Sequence, residues 1–164
     1  MRDDGDATID ALEQLYRRRY QRFFRLALAV LGSRDAAADA VQEAFVRAIK
    51  GRSGLRESGA LEPWVWRTVL NVALSQRAAA SNLDVRPDAD AGTAQTNGHP
   101  EEWRELRAAV AALPERQRAV LFLRHYADLD YETIAEVLGI ARGTVAATLN
   151  QAHKALRQTV EVSR

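Results

Sequence analysis

Residues Asp130–Leu156, DYETIAEVLGIARGTVAATLNQAHKAL, decide the fold. Ile134, Ala135 and Leu138 fall at i, i+1 and i+4 and so share one side of a short helix, with Asp130 placed to cap its start. Gly139 follows at the position just past the helix end, where positive φ is cheap only without a Cβ. Ile140 resumes the apolar pattern, and Val145, Leu149, Ala152 and Leu156, in steps of 4, 3 and 4, predict a second helix. Two helices joined by a tight Gly turn, with small Ala135 where they cross, read as a helix-turn-helix. In that unit the second helix lies in the DNA major groove and the first braces it against the backbone. The competing reading is an αα-hairpin that packs and binds nothing. Ala at the crossing, Gly in the turn and a β-branched residue soon after favour the DNA-binding form.

Working back from this unit, Val120, Leu121, Leu123 and Tyr126 form an apolar stripe, and Pro114 suits the first position of the helix that carries it. Before it, Trp103, Leu106, Val110 and Leu113 form another stripe, in a segment that begins near Glu101. Ser81–Pro100, SNLDVRPDADAGTAQTNGHP, has almost no large apolar residue. It cannot bury enough surface to offset its ordering entropy and reads as a flexible tether. A coil of about 20 residues has an r.m.s. span of roughly 25 Å, enough for two halves to sit apart on one extended partner.

The N-terminal half is helical as well. From about Thr8 to Leu31 apolar residues recur at threes and fours, Gly32 ends the run, and Ser33 caps the next helix. That second helix, Arg34–Lys50, is expected to bury Ala37, Val41, Ala44, Phe45, Ala48 and Ile49 and to show Asp39, Gln42, Glu43 and Arg47 on its other side. Gly51–Gly59, GRSGLRESG, is a polar Gly-rich loop. Glu62-Pro63 opens a third helix that runs through Gln76 and frays in Ala78–Ala80. No β-type alternation and no repeat appear. The fold class is all-α, with two small helical domains at 8–80 and 101–160 joined by a linker at 81–100.

The totals narrow the function. The chain of 164 residues is 47% hydrophobic and 27% charged, with no apolar run near the roughly 18 residues a membrane span needs. Its first residues are acidic and carry no apolar h-region, so no secretory signal is expected. No cysteine is present, which removes a disulfide framework, a thiolate nucleophile and a Cys-based zinc site and fits a cytoplasmic location. His99, His125 and His153 lie far apart in sequence and read as surface residues rather than a metal cluster. The net charge is +1. Residues 1–80 carry 13 Lys+Arg against 10 Asp+Glu, whereas residues 101–164 carry 9 against 9. DNA affinity of the C-terminal half alone should therefore be weak, since phosphate neutralisation supplies most non-specific binding.

The order of these parts resembles the extracytoplasmic-function (group 4) sigma factors of bacterial RNA polymerase, which have two helical domains, regions 2 and 4, on a loose linker. The wording LPERQRAVLFLRHYADLDYETIAEVLGIARGTV at Leu113–Val145 is close to region 4 throughout. DAVQEAFVRAI at Asp39–Ile49 is similar to the helix that family members press against the polymerase clamp. PWVWRTVLNVA at Pro63–Ala73 is similar to the helix that approaches the −10 element.

The resemblance implies a role for each of these surfaces. Asp39, Gln42, Glu43 and Arg47, otherwise a solvated face, would dock on core polymerase, where polar complementarity mainly serves specificity and on-rate. The Gly51–Pro63 loop would take an unstacked −10 base, with Arg52, Ser53, Arg56, Glu57 and Ser58 as suitable side chains. Trp64 and Trp66, two residues apart, cannot face the same way, so one is core and the other faces the DNA side. Arg67, Asn71 and Arg77 would lie nearest the −10 strand. On the recognition helix, Val145, Leu149 and Ala152 look inward, leaving Arg142, Thr144, Ala146, Ala147, Asn150, Gln151 and Lys154 for the −35 groove. Arg can read guanine, and Asn or Gln adenine, at about 1–3 kcal/mol of discrimination each.

The chain departs from the family pattern at Ala141, Ala146, Ala147 and Thr148, where Ser, Lys or Arg is usual, and at Leu70 and Ser75. Ala141 forgoes a side-chain cap, at a cost of about 1 kcal/mol. Either the −35 contacts are fewer and more base-edge than phosphate, or the chain binds DNA poorly by itself.

No catalytic constellation, phosphate loop or HExxH motif is visible, so the chain is not expected to be an enzyme or to carry a cofactor or metal. The implied partners are core RNA polymerase and promoter DNA, with an anti-sigma factor left open. Two rival readings stand beside this one: a stand-alone helix-turn-helix regulator, and a degenerate sigma factor acting only through protein contacts.

Overall fold

A computed structural model describes residues 4–52, 61–82 and 100–162. Among them are seven helices: α1 (Asp4–Leu31), α2 (Arg34–Lys50), α3 (Leu61–Asn82), α4 (Pro100–Ala112), α5 (Glu115–His125), α6 (Tyr131–Leu138) and α7 (Arg142–Val162). The described residues contain no strand, so the all-α class holds. Contacts group the chain into two compact units, Met1–Gly92 and Thr93–Arg164.

In the first unit α1, α2 and α3 each pack on the other two. Gly32, at φ 74°, ends α1, and the Ser33 hydroxyl accepts from the Ala36 N–H at 3.4 Å to start α2. The buried face of α2 is Ala37, Ala40, Val41, Ala44, Phe45 and Ala48. Four of these six are Ala, spaced 3, 4 and 4, and small side chains let α2 approach both neighbours closely. Phe23 of α1 joins the three helices, its ring 5.5 Å from Phe45 and 4.2 Å from Trp66. Glu62 ties the outer edge, accepting from Trp66 Nε1 at 3.4 Å and facing Arg19 Nε at 3.1 Å.

Three expectations for this unit need correction. Helix α1 begins at Asp4 rather than Thr8. Helix α3 continues through Ala78–Ala80 to Asn82, Ala being the best helix former. Ile49 is 39% exposed and Ala40 takes its expected place inside, because the α1 and α3 contacts fall on the Ala ridge. Leu70 belongs to the core, which accounts for an apolar residue there.

In the second unit α7 packs on α4, α5 and α6. Helix α5 is buried at every position from Ala119 to Leu123, since its neighbours cover more than one side. Pro114 is the N-cap of α5 rather than its first residue, with extended ψ of 146° and a carbonyl that accepts from Arg118 N–H at 3.0 Å. The turn after α5 places Asp128 at φ 54°, a conformation Asp tolerates better than most residues. Arg124 Nη1 donates to the Leu129 carbonyl across it at 3.0 Å.

Here too the expected stripes shift. Phe122 is buried while Tyr126 is 46% exposed, and Val137 replaces Leu138 as the inner partner of Ile134. Ala109 and Leu113 are buried while Val110 is half-buried. The Trp103 side chain, residues 83–99 of the expected tether, and loop residues Ser53, Arg56, Glu57 and Ser58 lie outside the described residues.

Candidate functional site

The turn motif of the second unit is built from its caps. Asp130 Oδ1 accepts from the Thr133 N–H at 2.8 Å, and these hydrogen bonds from Thr133 hold the Asp130 carboxyl below its usual pKa. Gly139 adopts φ 65°, ψ 38°, and its N–H donates to the Ala135 carbonyl. Helix α7 begins without such help. The Ala141 carbonyl accepts from the Val145 N–H at 3.1 Å, but its methyl group offers no acceptor to the preceding N–H groups.

Helix α7 then divides cleanly. Val145, Thr148, Leu149 and Ala152 are buried, so Thr148 belongs to the packed side. Ala147, Asn150, Gln151 and Lys154 are exposed and follow one another by steps of 3, 1 and 3, one stripe along the helix. Thr144 and Ala146 are half-buried at its margins. Arg142 is exposed at the helix start, with Nε 3.5 Å from Glu132 Oε2 across the turn. With side chains 69% and 74% exposed, this pair contributes little to stability and leaves both groups able to exchange partners. Beside it Arg124, Asp130, Tyr131, Glu132 and Arg142 line a shallow depression of about 390 Å³.

On the flank of α7, His153 meets His125 of α5, the two Nε2 atoms 3.1 Å apart. Burial, then the neighbouring His153 and Arg124, lower the His125 pKa. His125 and His153 therefore do not stand singly, as their spacing in sequence suggests. A contact across 28 residues depends on how α5 and α7 cross, which residue spacing does not encode.

The first unit presents two surfaces. On α2, Asp39, Gln42 and Arg47 are exposed, while Glu43 is half-buried and engaged on both oxygens. Its Oε1 pairs with Arg47, and its Oε2 accepts from Gln76 Nε2 of α3 at 2.9 Å. Val46, 48% exposed, and Ile49 continue the face of Asp39 and Gln42 by steps of 4 and 3. Sequence reasoning missed this apolar part, although the spacing 39, 42, 46, 49 carried the signal.

On α3, Trp66 is the buried member of the Trp pair and Trp64 is half-buried. Trp64 leads a stripe with exposed Arg67 and Asn71 at steps of 3 and 4. Its ring edge leans over the end of α2, where a Cβ on Gly51 would meet Trp64 Cζ2 at 3.6 Å. Arg52 Nη1 donates to the Ile49 carbonyl at 2.9 Å in the same corner. Arg77 is set apart from this stripe, its Nη1 donating to the Val30 carbonyl of α1 at 2.7 Å. There it satisfies a carbonyl at the end of α1.

Comparison with known proteins gives two family matches: Sigma-70 region 2 over residues 15–82 and Sigma-70, region 4 over residues 103–156. The chain is 33% identical over 141 residues to the ECF RNA polymerase sigma factor SigM of Mycobacterium tuberculosis, covering 82% of this chain and 69% of that protein. It is 26% identical to the RNA polymerase sigma factor YlaC of Bacillus subtilis, covering 94% of this chain and 95% of that one. In fold it matches the sigma factor RpoE of Bartonella quintana, solved in complex with the anti-sigma factor NepR. The TM-score is 0.61 at 21% identity, over 93% of this chain and 98% of that one.

Proposed function

We propose how this chain, which belongs to the extracytoplasmic-function sigma factors of the sigma-70 family, divides its work as a promoter-specificity subunit of RNA polymerase. Region 2, at 8–80, docks on core polymerase and starts opening of the −10 region. Region 4, at 101–160, reads the −35 element, and the tether at 81–100 lets the polymerase set their spacing.

The reading at −35 is carried by the stripe Ala147, Asn150, Gln151 and Lys154, exposed on the second helix of a turn motif whose opposite side is packed. Asn150 and Gln151 suit adenine edges, and Lys154 suits a phosphate. Thr144 borders the groove, and Arg142 exchanges Glu132 for DNA. With 9 basic against 9 acidic residues in 101–164, region 4 holds DNA through its tether to the polymerase rather than through charge. The same neutrality argues against a stand-alone regulator.

At −10, Trp64, Arg67 and Asn71 supply stacking and strand contacts, joined by Arg52 and by Ser53 and Arg56 of the loop. Arg77 supports that surface from behind through α1. Asp39, Gln42, Glu43 and Arg47, with Val46 and Ile49 beside them, form the polymerase-docking face: a small apolar centre with a polar rim. RNA synthesis belongs to the partner enzyme, and the chain acts in the cytoplasm. An anti-sigma factor is a further partner, covering one of these faces when initiation is off. Among the described residues no helix is long and apolar enough to cross a membrane.

The test is a selection of promoters from a random DNA library by core polymerase with and without the chain, followed by footprinting. Protection near −35 and melting near −10 only when the chain is present are expected. Identical patterns in the two samples would remove the proposal.

A further inference from the structure

We propose that His125 and His153 form a surface site for a divalent first-row transition ion that binds imidazole, such as Zn²⁺, and that the ion ties α5 to α7. The two Nε2 atoms stand 3.1 Å apart, with ring centroids 5.3 Å apart and ring planes at 48°. As they stand, tip to tip, one Nε2–H donates to the other ring's Nε2 lone pair. Metal–imidazole bonds are about 2.0–2.1 Å, so two of them spanning this gap meet at the ion at roughly 98°. That lies between the square-planar and tetrahedral angles, both within reach of such ions.

Occupation moves a single hydrogen. The donor ring shifts it from Nε2 to Nδ1, both Nε2 lone pairs turn to the ion, and no net proton is released. The rings swing about χ2, a broad torsion in histidine. Among the described residues no group of three or more His, Cys, Asp or Glu could hold a metal, so water completes the shell. Arg124 lies near His125, and Arg157 borders the same hollow as His153 and Leu156. These guanidiniums oppose any dication held by charge alone and so select an ion that bonds nitrogen strongly over Mg²⁺. The site stands apart from the outward stripe of α7 and does not depend on the promoter-reading role.

The experiment titrates the untagged, chelator-stripped full chain with ZnCl₂ at pH 7.5 by calorimetry, with MgCl₂ as control. The His125→Gln, His153→Gln and His99→Gln variants are measured beside it. One saturable Zn²⁺ per chain is expected, weakened at least tenfold in each of the first two variants and unchanged in the third. Imidazole ¹⁵N shifts should report both Nε2 atoms as ligated. Absence of saturable binding below millimolar Zn²⁺, or a loss smaller than tenfold in either of the first two variants, overturns the proposal. Should His153→Gln fail to fold, exposed His125→Gln decides alone, with its far-UV circular dichroism melt as the control for folding.

Discussion

Gln76 on α3 donates to Glu43 on α2 at 2.9 Å, while the other oxygen of the same carboxylate pairs with Arg47. Glu43 therefore serves the fold as well as the proposed docking face, unlike exposed Asp39 and Gln42. Gln76→Ala is expected to lower folding stability by about 1 kcal/mol, the usual worth of one such hydrogen bond. Asp39→Ala and Gln42→Ala should stay within about 0.5 kcal/mol of the parent yet weaken core-polymerase binding. Urea melts beside fluorescence titration with core enzyme separate the two. Equal affinity for core in both surface variants would take Asp39 and Gln42 out of the interface.

Val46 and Ile49 are exposed apolar groups beside those charges. If the docking reading holds, Val46→Asp introduces an unpaired charge into a desolvated contact. Core affinity should fall at least tenfold, an interface cost of about 1.4 kcal/mol or more. The melting transition should move little, because this side chain is already 48% exposed in the fold. A variant that binds core as well as the parent contradicts the assignment of this face.

On the proposed reading, the stripe on α7 separates base reading from phosphate holding. Asn150→Ala should relax preference at one −35 base pair, by about 1–3 kcal/mol of discrimination. Lys154→Ala should weaken every sequence alike and make the salt slope shallower by about 0.9. Arg142→Ala should behave as Lys154→Ala, with little loss of stability since its pair with Glu132 is exposed. Holoenzyme binding to a −35 library at several salt concentrations measures all three. Sequence-dependent loss in Lys154→Ala, or uniform loss in Asn150→Ala, reverses the roles.

Hydrogen bonds from Thr133 depress the Asp130 pKa in the folded chain. A carboxyl depressed on folding adds stability that is fully present above its unfolded pKa and is lost as pH falls through the folded one. The cap therefore weakens only below about pH 4, the ordinary Asp value. Asp130→Ala should cost about 1 kcal/mol at pH 7 and less at pH 3. A penalty that is the same at both values would show that the charge on the cap contributes nothing.

Much of this could be read from residues with local consequences. The bounds of α2 follow from Ser33 and from a Gly at each end, and the turn motif follows from Asp130 and Gly139, because caps act within a few residues. Burial was less legible where it depends on which neighbour arrives. Ile49 and Tyr126 have the residue type and spacing of core positions, yet α2 and α5 meet their partners elsewhere. Among the candidate contacts, the outward stripe Ala147, Asn150, Gln151 and Lys154 needed only the period of α7. The bond from Arg77 to Val30 spans 47 positions and needed the fold.

Ala141 offers a test of the same local logic in the opposite direction. Its carbonyl already accepts from the Val145 N–H, so the backbone stands in the cap position and lacks only a side-chain acceptor. Ser at this position would offer its Oγ to the N–H groups of the first turn of α7, among them that of Thr144 two residues past Arg142. Ala141→Ser is expected to stabilise the chain by about 1 kcal/mol, whereas Ala141→Val should give no gain. Thermal melts of the full chain report the difference, and −35 selectivity should be unchanged, since the outward stripe begins at Ala147. A destabilised Ala141→Ser variant would mean that the chain enters α7 at an angle the hydroxyl cannot bridge.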